Sequence, residues 1–307
     1  MSTRREERRA ADTKRNIIVA VIVLLITNIV VIMCIVVLGM IGILDIKDGK
    51  ITVHNNNVGI EDKMDTFVMP TSNSLAVRAD AVINHFITDD MSDYQKVKAI
   101  HDFLVDWTTY DYDEYANRGS NPSAHKEYGV FIKGRAVCDG YSSSFKLLCD
   151  LAGIECDIIT GKASDIFNND KHAWNIVKID SNWYQVDVTW DDNITEQTGS
   201  ETILYDYFLV TDKIMSLSHT WEDTGYERCM NEDYLYKAYK DAGQLARNGI
   251  KLRDVFDKQY NEGCKTVTIL YDKQGLPSLD FIAEKYGEYS WCYAFIGDAC
   301  RITVIID

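Results

Sequence analysis

Three residues in the middle of the chain have the types and spacing that acyl-transfer chemistry needs: Cys138, His172 and Asp187. A thiol is a useful nucleophile only as its thiolate, and the free N–H groups at a helix N-terminus stabilise that anion. Cys138 opens the run Cys138 to Ala152, in which Tyr141, Phe145, Leu148 and Leu151 fall on one face and Gly153 follows as a stop signal. The pattern predicts a helix that begins on the cysteine. The backbone N–H of Cys138 is then placed to receive a developing oxyanion. Gly134 and Gly140, on either side, permit close approach of backbone or substrate. Asp139 works against the thiolate, and a neighbouring imidazolium has to outweigh it.

A hairpin supplies the imidazole. Ala173 to Ile179 and Trp183 to Val188 are β-rich runs separated by Asp180, Ser181 and Asn182. With Asp180 and Ser181 as a two-residue turn, Ile179 pairs with Asn182, Trp174 faces Asp187, and His172 lies diagonally from Asp187 on one face of the ribbon. Diagonal neighbours sit ~7–8 Å apart at Cα, within reach of an imidazole–carboxylate hydrogen bond. Nucleophile, base and a third group that fixes the base's tautomer complete a triad. A one-residue slip would carry Asp187 to the opposite face, so the register decides the matter.

Other elements must hold these three in place. The folded body is expected to begin near Ser74. Ser92 to Gln95 has the form of a capping box, and Val97, Ile100, Leu104 and Trp107 recur at helical spacing behind it. Asp111 to Lys126 reads as a polar loop and Cys156 to Gly161 as a short buried strand. Beyond Trp221 the pattern changes: Glu232 to Asn248 and Leu252 to Glu262 read as helices, and Lys265 to Tyr271, Trp291 to Ile296 and Ile302 to Ile306 as strands of a second, smaller α/β unit. His101, on an apolar helical face, reads as structural; His219 reads as packing or capping, and Trp174 and Trp190 as packing. The acids at Asp111, Asp113 and Glu114, and at Asp191 and Asp192, lack an EF-hand pattern and read as solvated loops. No C-x-x-C spacing supports zinc, and no phosphate or dinucleotide fingerprint occurs, so neither metal nor cofactor is expected. Cys149 and Cys156 remain open between a bridge and two separate buried thiols.

The ordered blocks Gly134-Arg135-Ala136-Val137-Cys138-Asp139-Gly140-Tyr141-Ser142, Ala152-Gly153-Ile154, His172-Ala173-Trp174-Asn175 and Trp183-Tyr184-Gln185-Val186-Asp187-Val188-Thr189-Trp190-Asp191 resemble the core of the transglutaminase-like superfamily. Ile100-His101-Asp102-Phe103-Leu104 with Tyr110-Asp111-Tyr112 upstream, and Tyr207-Phe208-Leu209 with His219-Thr220-Trp221 downstream, resemble its bacterial, membrane-anchored branch. The resemblance runs from about Ser74 to Trp221. It implies an α+β, papain-like core, a Cys-bearing helix packed on an antiparallel sheet, with Cys138 as nucleophile, His172 as base and Asp187 as its orienter. No upstream residue matches the oxyanion side chain clearly, and Tyr128 is the candidate carried forward.

Ile17 to Leu44 is a 28-residue run in which only Thr27, Asn28, Gly39 and Gly42 are not apolar. At ~1.5 Å per residue it exceeds a hydrocarbon core of ~30 Å, and it is too long for the ~7–15-residue core of a cleaved signal peptide. It reads as one transmembrane helix, with membrane lipid as its partner. Arg4, Arg5, Arg8, Arg9, Lys14 and Arg15 precede it, against Lys47 and Lys50 just after, which places the N-terminus in the cytoplasm and the rest outside the cell membrane. The whole chain of 307 residues carries a net charge of −15, and everything from Asp45 onward is acidic on balance. A nucleic-acid partner is excluded for want of a basic footprint.

The expected organisation is a cytoplasmic basic tail over 1–16, a transmembrane helix over 17–44, an extracellular stalk over 45–73, a transglutaminase-like domain over 74–224 and a C-terminal α/β unit of unknown role over 225–307. The expected activity is acyl transfer from protein or peptide amides near the cell surface through a thioester on Cys138, resolved by water in a peptidase or amidase and by an amine in a transglutaminase. The alternative is a catalytically inactive module of the same fold that binds material at the cell surface.

Overall fold

The computed structural model describes residues 44–47, 50–53, 60–164, 169–192, 203–222 and 225–306. The apolar run expected to span a membrane lies outside these apart from Leu44, and among the described residues no helix is long and apolar enough to cross a membrane. The chain divides into two compact units, residues 1–62 and 63–307. In the first, β1 (Leu44–Lys47) and β2 (Lys50–Val53) form an antiparallel hairpin at the start of the stretch read as a stalk or short lead-in strand. α1 (Ile60–Thr66) bridges the division.

Packing in the second unit starts upstream of Ser74. The Phe67 ring lies 5.1 Å from that of Phe86 and 5.8 Å from that of Phe103, on α2 (Leu75–Phe86) and α3 (Asp93–Trp107). α3 begins on the expected capping box of Ser92 and Gln95 and buries Val97, Ile100 and Leu104. The acidic stretch that follows is not a solvated loop. After β3 (Thr109–Tyr110) it forms α4 (Tyr112–Ala116) and a tight 3₁₀ turn over Pro122–His125. Glu114 is the cause: its buried carboxylate accepts from the backbone N–H groups of Gly119, at 2.7 Å, and Asn121, and these bonds hold its pKa low, at about 2. Asp111, also buried, accepts from the Glu114 N–H and from Asn121 Nδ2. β4 (Arg135–Ala136) pairs in parallel with β3.

α5 (Cys138–Leu151) ends where Gly153 takes the left-handed backbone, φ 77°, that suits a helix C′ residue. Next come β5 (Cys156–Ser164), β6 (Asn169–Ile179), β7 (Asn182–Val186), the one-turn helix α6 (Val188–Asp191), β8 (Phe208–Val210), α7 (Asp212–Met215) and β9 (His219–Trp221). Their five strands form an antiparallel sheet in the order β8-β7-β6-β5-β9. Asp180 and Ser181 sit at φ 50° and 68°, as a type I′ hairpin turn requires, and Ile179 pairs with Asn182. α5 packs on this sheet, anchored by Asn175 Nδ2 of β6 donating to the Ser142 carbonyl at 3.1 Å. This is the mixed α+β, papain-like arrangement that the resemblance implied.

The C-terminal part contains α8 (Lys237–Asp241), β10 (Leu245–Ala246), α9 (Gly249–Asn261), β11 (Thr266–Tyr271), α10 (Asp280–Tyr286), β12 (Tyr289–Ile296) and β13 (Ala299–Ile306). The helix expected over Glu232 to Asn248 is broken, because Tyr236 and Gly243 take left-handed backbone at φ 59° and 71°. Strands β10-β11-β13-β12 form a second sheet over a core that includes Phe256, Val267, Ile282, Ile302 and Val304. β13 is tied to the larger sheet's end by Arg301 Nε, which donates to Asp206 Oδ2 at 2.7 Å, while Tyr239 donates to Asp206 Oδ1 at 2.5 Å. Among the described residues the cysteines are free thiols, so Cys149 and Cys156 are two separate buried thiols rather than a bridge.

Candidate active site

The N-terminus of α5, the end of β6 and the turn after β7 converge on a cleft of about 1140 Å³. Cys138 stands at its wall, half-buried. The N-cap residue Val137 supplies no side-chain acceptor, so the first-turn N–H groups of α5 are not sequestered by a cap. Gly140 allows this geometry: a Cβ there would lie 2.3 Å from the Ala124 carbonyl oxygen, so only glycine lets the helix start press against the 3₁₀ turn.

His172 Nε2 donates to Asp187 Oδ2 at 2.7 Å, and the imidazole lines the same cleft as Cys138, whose proximity favours its protonated form. With Nε2 committed to the carboxylate, Nδ1 is the nitrogen left for the thiol. The His172 side chain is 8% exposed and that of Asp187 fully buried. Burial opposes a charge on His172, but the charge and hydrogen bond of Asp187 and the contact with Cys138 outweigh it and hold its pKa up at about 10. Burial likewise opposes the Asp187 anion; His172 and His219 overcome that and keep its carboxyl below the usual carboxylate range.

Asp187 is positioned from its other side. Its Oδ1 caps α6, accepting from the N–H groups of Thr189 at 3.0 Å and Trp190 at 3.2 Å. Its backbone N–H donates to the Tyr207 carbonyl, and the Tyr207 N–H donates to Asp191 Oδ1 at 2.9 Å. Asp191, read as part of a solvated acidic loop, is fully buried; desolvation pushes its pKa up to about 7 even though His101 Nε2, 3.1 Å away, favours the anion. Its neighbour Asp192 accepts from the Tyr141 hydroxyl at 2.5 Å. His101 is buried between Asp102 and Asp191 and braces α3 against the turn that follows Asp187.

Three contributors escaped the sequence reading. His219, expected to pack or cap, is fully buried with Nε2 donating to Asp187 Oδ2 at 3.0 Å. His125 lies 2.8 Å from Asp139 Oδ2 through Nδ1 and 3.2 Å from Glu114 through Nε2; the hydrogen bond with Asp139 raises its pKa, which favours a counter-charge to the carboxylate beside Cys138. Tyr110 lines the cleft, and burial followed by the proximity of Cys138 keeps its phenol protonated. Tyr128, carried forward as an oxyanion candidate, is 40% exposed and lies outside the cleft lining. Trp174 is buried as expected, whereas Trp190 lines the cleft. His125 arrives from a remote segment with no pattern to mark it, whereas the Tyr110-Asp111-Tyr112 and His219-Thr220-Trp221 blocks pointed to Tyr110 and His219 without giving either a role.

His172, Asp187 and His219 are also a group whose donor atoms, all within 4.8 Å of one another, have the spacing of a metal site. Both Nε2 groups are already satisfied by one carboxylate oxygen, so the geometry has an account in hydrogen bonds alone.

Residues 80–188 match the family model of the transglutaminase-like superfamily. This segment is a transglutaminase-like domain. It contains Cys138, His172 and Asp187. The chain is similar to the kyphoscoliosis peptidases of Mus musculus, 27% identical over 136 residues, and Homo sapiens, 27% identical over 138 residues. The alignments cover 41% and 42% of this chain but only 20% and 21% of those proteins, so the chain spans about a fifth of the relatives' length. A solved structure described as a crystal structure of a TGase aligns at 19% identity and a TM-score of 0.33, covering 64% of this chain and 43% of that one.

Proposed function

We propose that the transglutaminase-like domain is a cysteine enzyme that acts on protein or peptide amides through a thioester on Cys138. The observation that carries this is that His172, bonded to a buried carboxylate, lines the same cleft as the thiol at the start of α5. Cys138 gives its thiol proton to His172 Nδ1, the thiolate Sγ adds to the amide carbon, and the carbonyl electrons move onto oxygen, which meets the N–H of Cys138 and the Tyr110 hydroxyl. As the oxyanion collapses, the C–N bond breaks and His172 gives its Nδ1 proton to the departing amine. An incoming water then loses a proton to His172, adds to the thioester and releases the acid and the thiol. We take water as the acceptor because both curated relatives bear the name peptidase. An amine acceptor would make the same site a transglutaminase.

We further propose that residues 17–44 anchor this domain outside a membrane with the N-terminus in the cytoplasm, on the strength of the apolar run and its basic upstream flank. Protease added to intact cells is then expected to remove the domain and spare the tail.

The test of the chemistry is peptide-resolved alkylation by iodoacetamide. Cys138 is expected to react fastest of the accessible cysteines near neutral pH and to slow in His172→Ala. A rate no faster than that of exposed Cys264 overturns the proposal. Peptide substrates presented with and without an amine acceptor then separate hydrolysis from transfer.

A further inference from the structure

Asp187 Oδ2 receives two imidazoles. His172 Nε2 lies 2.7 Å away and His219 Nε2 3.0 Å away, while the second oxygen is held by two backbone N–H groups of α6. The orientation of the carboxylate is therefore already set by α6, and His219 is not needed to aim it. What His219 changes is how much of the negative charge on Oδ2 is directed at His172. Its ring is locked for this: it is fully buried, packed against Trp174 at 4.9 Å and Trp190 at 4.7 Å, with Nδ1 2.8 Å from Ser218 Oγ, which in turn bonds the Tyr207 hydroxyl. β9, which carries His219, joins the sheet beside β5, so this contact comes from the strand furthest from β8.

We infer that His219 is a fourth member of the constellation, a positioning residue that shares Asp187 Oδ2 and thereby keeps His172 a ready proton donor to the leaving amine. This rests on the catalytic reading of Cys138 and His172. A carboxylate oxygen divided between two donors gives each a weaker bond than it would give to one. Without His219, the whole charge falls on His172, whose proton is held more tightly; thiolate formation is favoured, but release of the proton to a leaving group is slowed. The titratable groups around the pair are Cys138 of α5, Tyr110 of β3, and Tyr207 with the neighbouring Asp191 and Asp206. They bear equally on the unsubstituted chain and the variants.

The experiment measures two things in the full chain: the pH profile of Cys138 alkylation, and turnover of a peptide amide. In His219→Phe, fast alkylation is expected to persist with its acid limb moved down by on the order of one pH unit, while turnover falls about tenfold. His219→Gln, which keeps an N–H donor, is expected to restore both. A merely structural role would instead lose alkylation and turnover together. Slow Cys138 alkylation in the unsubstituted chain overturns the catalytic reading itself. Fast alkylation there, with an unmoved profile and full turnover in His219→Phe, overturns only the role of His219. Should the Phe variant fail to fold, ¹⁵N-histidine spectra of the unsubstituted chain decide: both His172 and His219 are expected to carry a proton on Nε2, and a bare Nε2 on His219 overturns the inference.

Discussion

Around α5 the protein interior holds charge, whereas under β11 and β13 it holds almost none. His101, Asp102, Asp111, Glu114, Asp187, Asp191 and His219 are all buried in the domain that carries Cys138. In the C-terminal sheet the buried polar residues are Gln259, Thr268 and Thr303, amid Phe256, Val267, Ile282, Ile302 and Val304. Even there the glutamine is spent on backbone, its amide donating to the Thr268 carbonyl and accepting from the Thr268 N–H. Burying an ionised group costs several kcal/mol unless it is paired, so a fold retains such groups where their chemistry or their bracing of chemistry is used. The difference teaches that the two regions divide the work: one holds reactive groups in place, and the other is held together by apolar contact.

The sharpest way to break that division is to cross it. Cys138→Ala is expected to abolish turnover, by ~10³-fold or more, while leaving the melting temperature unchanged. Phe256→Ala is its mirror image: a loss of ~3–5 kcal/mol in stability on denaturant unfolding, with the alkylation rate of Cys138 in the folded fraction unaltered. If the two effects travel together in either variant, the regions are not independent in function.

A smaller effect comes from pH. His172 titrates at about 10 in the fold against an ordinary 6.5, so its contribution to stability is fully present below about 6.5 and is lost as pH rises through about 10. Asp187 acts in the opposite sense: its contribution is present above its ordinary value of 3.8 and is lost as pH falls through its depressed one. The melting temperature is expected to decline between pH 6.5 and 10, and His172→Ala is expected to flatten that decline, whereas Phe256→Ala lowers the whole curve without changing its shape. The smallest effect concerns His125. With Asp139 left uncompensated next to the thiol, His125→Ala is expected to slow Cys138 alkylation by about 2–5-fold at low ionic strength and less at high salt, since both side chains are well exposed.

The hairpin was legible because its information is local. A two-residue turn and a period of two put His172 and Asp187 on one face, and the helix period placed Cys138 at the start of α5. The role of His219 was illegible, although its block was noticed, because it reaches Asp187 from 32 residues away, through strand pairing that no local pattern encodes. The acidic stretch was misread for a related reason. Composition counts Glu114 as a charge that seeks water, but backbone N–H groups gathered by the turn at Gly119 and Asn121 solvate it instead. In the C-terminal part the apolar strands β11, β12 and β13 were visible, whereas the break in the expected helix lay in the left-handed backbone of Tyr236, a residue type with no preference for it.

The Arg301–Asp206 pair bears on where this chain can be cut. Asp206 is 4% exposed, its two oxygens are engaged by Arg301 and Tyr239, and both of those partners come after residue 225. Asp206 is one peptide away from Tyr207, whose backbone holds both Asp187 and Asp191. Severing the polypeptide at the composition change near residue 225 would therefore leave the buried Asp206 carboxyl without these two partners, one residue from the turn that holds Asp187. The shortest fragment that keeps that carboxylate's surroundings neutralised runs on through Arg301, so the boundary drawn by sequence composition and the boundary set by electrostatics are about eighty residues apart.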